Sequence, residues 1–188
     1  MLIAIISDIH DNEVNLKKVL NYCLENKITK IVCCGDLASD ETLDFMADNF
    51  SLQSGGEIFF TFGNADEDRF NNLVLEQYAE SGKDFAIYKN VKIFREYGET
   101  IVEGKKIAFV HFPDIARKLG ETGEYDFVFY GHTHKPWTEK LETRRKQYIF
   151  DCTLLNPGNV AGQYYLPTFA TWDTKNSEFK LLRIHDLN

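Results

Sequence analysis

The 188-residue chain is 44% hydrophobic and 27% charged, enough for one sizeable core and too short for two ordinary domains, so a single domain over 1–188 is expected. Its formal net charge of -8 repels polyanions and excludes an extended nucleic-acid surface or an anionic membrane surface as a default partner.

In chain order, the opening MLIAII has no basic region before it and stops at Ser7-Asp8, below the roughly 7 to 15 apolar residues of a signal-peptide core. No stretch approaches the roughly 20 apolar residues of a membrane span. Residues 2 to 6 therefore read as a buried strand, and Leu16, Val19, Leu20, Cys23 and Leu24 after them mark one face of a helix. The cycle recurs with a strand at Ile31 to Cys34 and a helix at Leu43, Met46, Ala47 and Phe50. It recurs again with a strand at Ile58 to Phe62 and a helix at Phe70, Leu73, Val74 and Tyr78. Repeated strand-helix units predict right-handed crossovers and a largely parallel sheet. After residue 84 short strands follow at Val91 to Arg95, Thr100 to Val102, Lys106 to Val110 and Phe127 to Tyr130, with a short helix at Pro113 to Leu119. Later runs near 136 to 142, 147 to 152, 168 to 173 and 178 to 184 continue this strand-rich half. So many strands predict two packed sheets with helices outside, a layered α/β domain.

The four cysteines, Cys23, Cys33, Cys34 and Cys152, contain no CxxC pair, and alternation sends adjacent Cys33 and Cys34 to opposite faces of their strand. Buried free thiols and a reducing, cytoplasmic address are expected.

Metal-capable side chains gather just after predicted strands: Asp8 and His10, then Asp36, Asn64, His111, and His132 with His134. Ligands of open α/β sheets bind outside the carboxyl ends of strands, so these segments converge on one rim. Asn64 alone is ordinary turn chemistry; in this company it is a neutral ligand candidate. Gly35, Gly63 and Gly131 each precede one of the set, and a residue without Cβ lets the backbone approach closely. Two carboxylates, an amide and four imidazoles exceed one tetrahedral zinc and include no thiolate. Two ions fit better, with Asp36 as the bridging candidate and about three further ligands each. Two divalent ions less Asp8, Asp36 and a hydroxide leave roughly +1, which suits a phosphodiester monoanion.

In this order and spacing, Asp8-Ile9-His10, Gly35-Asp36, Gly63-Asn64, His111 and Gly131-His132-Thr133-His134 resemble the calcineurin-like metallophosphoesterases. The opening ISDIHDN, the GNAD segment and the late Asn156-Pro157-Gly158 resemble the YfcE-like phosphodiesterase branch. The resemblance implies a four-layer α/β/β/α sandwich of two mixed sheets flanked by helices. It also implies one ion on Asp8, His10 and His134, the other on Asn64, His111 and His132, and Asp36 between them. Manganese is the first choice of metal, with iron, zinc or nickel as alternatives, and the nucleophile is a metal-bridging hydroxide attacking a small phosphodiester in line. Asn64 and His111 are the expected substrate contacts. The chain departs from the family pattern at Ala65, where phosphatase branches carry a proton-donating histidine, and at Phe112-Pro113 after His111.

Other residues have plainer readings. Asp66 suits a cap of the following helix, with support of the site as the alternative; Asp11, Asn12 and Glu13 suit a helix start; Arg144-Arg145-Lys146 tips a solvated hairpin, with substrate or partner contact as the alternative; and His185 lies on the surface away from the strand-end motifs. A Ser-His-Asp hydrolase lacks its GxSxG elbow, a dinucleotide binder lacks GxGxxG, and a metal-dependent β/α-barrel hydrolase needs about 250 residues. The rival class is a protein-binding scaffold of the same fold, resembling the retromer subunit.

Overall fold

The computed structural model describes residues 1–50, 55–66, 68–81, 84–145 and 148–187. The strand-helix half comprises β1 (Leu2–Ile6), α1 (Glu13–Glu25), β2 (Lys30–Cys33), α2 (Asp40–Asn49), β3 (Glu57–Thr61) and α3 (Asp68–Ser81). It is followed by β4 (Phe85–Tyr88), β5 (Val91–Phe94), β6 (Tyr97–Val102), β7 (Lys105–Val110), α4 (Pro113–Glu121) and β8 (Phe127–Phe129). The chain closes with β9 (Trp137–Arg145), β10 (Tyr148–Asn156), β11 (Thr168–Asp173), β12 (Glu178–Arg183) and a 3-10 turn at Ile184–Asp186.

Two mixed sheets result. One has the order β12-β11-β1-β2-β3-β5-β4, the other β6-β7-β8-β10-β9. The parallel strands are β1, β2, β3 and β5 in the first sheet and β7, β8 and β10 in the second; the remaining strands join antiparallel. Period-2 alternation builds the layers. Along β1, Ile3 and Ile5 face the second sheet and pack with Val32, Phe59, Phe109, Phe129 and Trp172. Ala4 and Ile6 face the helices and pack with Leu16, Leu20, Leu43, Met46 and Phe60. On the outer face of the second sheet, Val110, Val128 and Leu154 bury Ala116 of α4. Cys33 and Cys34 fall in different clusters, on opposite faces, and all four thiols are free and buried. Burial pushes Cys23 and Cys152 up to about 12, so these thiols are poor nucleophiles.

Most expected elements appear, with local differences. Leu24 and Tyr78, expected on buried helix faces, are 43% and 52% exposed, so the apolar stripes are narrower than the periodicity suggests. Strand β4 was not expected, and β6 begins three residues early, at Tyr97. The side chains of Phe70, Arg144 and Arg145, and all of Lys146, lie outside the described residues. Among the described residues no helix is long and apolar enough to cross a membrane.

The register positions the site. Ile6 pairs with Cys33 and Cys33 with Phe60, so β1, β2 and β3 end level and their following turns lie side by side.

Candidate metal centre

All seven expected ligand residues stand on the turns after β1, β2, β3, β7 and β8. Five of them, Asp8, His10, Asp36, His132 and His134, have φ between 45° and 68°, a region costly for residues with a Cβ and concentrated at functional sites. Backbone bonds hold the strained turns together. Asp8 N–H donates to Gly35 O at 3.0 Å, the N–H groups of Ile9 and His10 to Asp36 O at 2.8 and 3.1 Å, and Gly131 N–H to His111 O at 3.0 Å.

The side chains form a closed circuit. Asp8 Oδ1 lies 3.3 Å from His134 Nε2, which is 3.3 Å from His10 Nε2; His10 Nε2 is 3.6 Å from Asp36 Oδ2. The same Asp36 oxygen lies 3.3 Å from His111 Nε2, which is 3.2 Å from Asn64 Oδ1, itself 2.9 Å from His132 Nδ1. The backbone N–H of His132 returns to Asp8 Oδ1 at 3.1 Å. Asp36 Oδ2 thus sits between the two halves, while its Oδ1 accepts the Ala65 N–H at 2.8 Å.

The donor set fits cations. Candidate ligand atoms of Asp8, His10 and His134, and of Asp8, Asp36 and His111, lie within 4.8 Å of one another. Asp8 and Asp36 are 0% and 2% exposed, and their ion-pair partners among the described residues are histidines alone. Buried carboxylates this close could hold a cation between them. His111 Nδ1 faces Cys34 O at 2.8 Å and His134 Nδ1 faces Gln163 O at 3.2 Å. Each such contact fixes the tautomer that leaves Nε2 as a lone-pair donor toward the site.

Burial raises the Asp8 carboxyl above the usual range despite a Ser7 hydrogen bond and the nearby His111 and His134. Burial also acts to raise Asp36, but the His111 hydrogen bond and charge, the Ala65 N–H and His10 outweigh it and leave the group below that range. For His111 burial acts downward, while Asp36, Asp8 and the Cys34 carbonyl together carry the imidazole above its ordinary value.

The glycines are explained by space. A Cβ on Gly63 would collide with Asp36 Oδ1 and one on Gly131 with Ser7 Oγ; Gly35, at φ 95°, would meet Gly63 N and His111 Nδ1 at 2.8 Å.

The Asp66 carboxylate accepts the N–H groups of Asp36, Leu37, Ala38 and Gly63 at 2.6 to 3.1 Å and so ties the β2 turn to the β3 turn; residue 67, through which a cap of α3 would run, lies outside the described residues. Asn12 does cap α1, accepting the Asn15 N–H, whereas Asp11 accepts the hydroxyls of Ser39 and Thr42 at the start of α2. Asn156 donates to Gly131 O and Thr133 Oγ1. Asn159, which sequence reasoning missed, donates to His134 O; its signal was the second asparagine of NPGN. His185 is exposed but lines a groove with Asn12 and Tyr164, and the Tyr164 ring lies 5.6 Å from that of His134. His185 is thus a surface histidine, as expected, on a groove that reaches toward His134 through Tyr164. Asn64 and His132 are exposed, so the circuit opens to solvent on their side, where Phe112 stands 5.2 Å from the His132 ring.

Comparison with known proteins places this geometry in context. The model of the calcineurin-like phosphoesterase superfamily domain matches residues 1–177. The phosphodiesterase MJ0936 of Methanocaldococcus jannaschii is 26% identical over 96% of this chain and 97% of its own. The structure of a novel archaeal phosphodiesterase superposes with TM-score 0.72 at 22% identity, covering 97% of this chain and 99% of that one. Zinc-bound Vps29 of Entamoeba histolytica gives 0.59 at 17%, over 98% and 99%. The phosphoesterase YfcE of E. coli gives 0.61 at 15%, over 98% and 100%.

Proposed function

Because the chain belongs to the calcineurin-like phosphoesterase superfamily, we propose that it is a metal-dependent phosphoric ester hydrolase, a phosphodiesterase whose one domain binds two divalent ions. The observation that carries this reading is the shared Asp36 Oδ2, within 3.6 Å of His10 on one side and 3.3 Å of His111 on the other. Asp8, His10 and His134 would hold one ion, Asn64, His111 and His132 the other, and Asp36 both. Manganese is the first choice; iron, zinc and nickel suit the same oxygen and nitrogen donors. When bound, the ions would supply an activated water for in-line attack on phosphorus and neutralise charge developing on the phosphoryl oxygens.

The chain's own residues do the rest. Asp66 and the two asparagines of NPGN fix the turns, so the donors are organised before substrate arrives. Asn64, uncharged, preserves the positive balance that a phosphodiester monoanion needs, and with His111 it forms the substrate-facing half. Ala65 offers no proton to a leaving group. Aryl diesters should therefore exceed alkyl diesters by an amount on the order of the 10²- to 10⁴-fold that a general acid supplies. The buried free thiols support a cytoplasmic address.

The test is metal analysis of the purified protein with hydrolysis of bis(p-nitrophenyl) phosphate in manganese. The reading expects two ions per chain and turnover, both reduced in Asp36→Asn. A metal-free protein without turnover after manganese addition would favour the scaffold reading. A series of diesters with leaving groups of rising pKa should show a steep decline, and a flat profile would show that protonation is supplied elsewhere.

A further inference from the structure

Beside His134 and the turn carrying His10 lies a groove of about 610 Å³ whose walls include Val14, Tyr164, Tyr165 and Leu166, with Asn12 and His185 also lining it. Tyr164 is 92% exposed and holds φ 64°, a conformation that bulky L residues rarely adopt. Burial does not account for an aromatic ring displayed on strained backbone; the surrounding hydrogen bonds impose it. Asn159 Oδ1 accepts the N–H groups of Gly162 and Gln163, the Gln163 carbonyl faces His134 Nδ1, and Asn12 and Asn15 donate to the carbonyls of Ala161 and Val160. The loop that presents Tyr164 is thus bound to the ligand His134 and to the start of α1. Val14, Tyr165 and Leu166 extend the apolar surface, at 73%, 45% and 61% exposure. In a chain of net charge -8, none of the described residues lining this groove is acidic.

We propose that the groove is a subsite for the base of a nucleotide phosphodiester, the base stacking on Tyr164 while the phosphate lies between His10 and His134 and the exposed Asn64. The inference rests on the phosphodiesterase reading and names its substrate class. Stacking on an aromatic ring tolerates any base. The amides of Asn12 and Asn15 already donate to backbone, so little discrimination between purine and pyrimidine is built in.

Two measurements test it. Thymidine 5′-monophosphate and inorganic phosphate are titrated calorimetrically into the manganese-loaded protein; the nucleotide should bind about tenfold more tightly, in keeping with base-aromatic stacking. Tyr164→Gly, which accepts the left-handed backbone and removes the ring, should erase that preference, and Tyr164→Phe should keep it. Thymidine 5′-p-nitrophenyl phosphate and methyl p-nitrophenyl phosphate share a leaving group, and Tyr164→Gly should lower their kcat/KM ratio about tenfold, through KM. Equal losses on both esters, or wild-type protein that binds the nucleotide no better than phosphate, would overturn the subsite. If neither ester is hydrolysed while the nucleotide preference persists, the subsite stands and the phosphodiesterase reading falls.

Discussion

Asp66 governs two turns that carry candidate ligands, and it does so through backbone donors. Its carboxylate is the acceptor for four backbone donors, and burial raises its pKa although those N–H groups oppose the shift. Asp66→Ala would strip the donors of their partner; with an unsatisfied donor costing about 1–3 kcal/mol and some regaining water, a loss of roughly 3 kcal/mol is expected in urea unfolding. Manganese affinity should fall about 10- to 100-fold, as for lost outer-shell partners elsewhere. Unchanged affinity would show that the turns hold their shape unaided. Its neighbour Ala65 carries the complementary prediction: Ala65→His should raise turnover of alkyl diesters by up to about 10²-fold and of aryl diesters much less, read from the slope of rate against leaving-group pKa. The strand-end position of each candidate ligand was legible because an apolar run precedes it. The role of Asp66 was less legible because its partners include Asp36, 30 positions away, whereas its own neighbourhood, just ahead of a helix, suggests a cap.

At the level of elements, Glu57 on β3 ties three parallel strands together, bonding to Lys30 of β2 and, at 2.6 Å, to Lys92 of β5. Burial acts to raise its pKa, but the two lysines outweigh it and the group lies below its ordinary value. A carboxyl whose folded pKa is depressed contributes stability above its unfolded pKa, and that contribution is lost as pH falls through the folded value. With the side chain 28% exposed, solvent screening keeps the contribution to about 0.5–1 kcal/mol. Wild type should therefore exceed Glu57→Gln by that amount near neutrality and lose the advantage below about pH 4.5, the ordinary glutamate value; unfolding midpoints at pH 7 and pH 3 measure it. The elements that escaped sequence reading did so for two reasons. β4 joins β5 through Lys89-Asn90, with Lys89 in the left-handed region at φ 51°, so the turn lacks the glycine that announces a tight hairpin. β6 contains Gly98, which reads as a turn, yet a Cβ there would enter the Phe109 ring. That glycine marks close packing of a strand on an aromatic side chain, not an end.

For the whole molecule, the layered architecture follows from strands that are apolar on both faces, as in β1, whose alternate residues serve two cores. Which strands pair was less legible, since β11 returns to lie beside β1, with Ile5 opposite Ala170 and Leu2 opposite Asp173, and no local pattern encodes that closure. The arrangement concentrates negative charge where the sheets' turns meet: Asp8 and Asp36 are buried together in a chain of net charge -8. Bound cations should then stabilise the fold as well as prepare the site, because the ligands come from turns of both sheets and the complete set exists only when the sheets are packed. At free manganese about 100 times a site's dissociation constant, linkage predicts roughly 2.7 kcal/mol of added stability for each ion bound. For a chain of this length each ion corresponds to a rise in Tm of about 5–10 °C. Asp36→Asn, which removes the shared charge, should retain less than half of the rise, and EDTA should return wild type to its metal-free midpoint. Calorimetry across a manganese series measures all three, and a midpoint indifferent to manganese would argue against cation binding by this circuit.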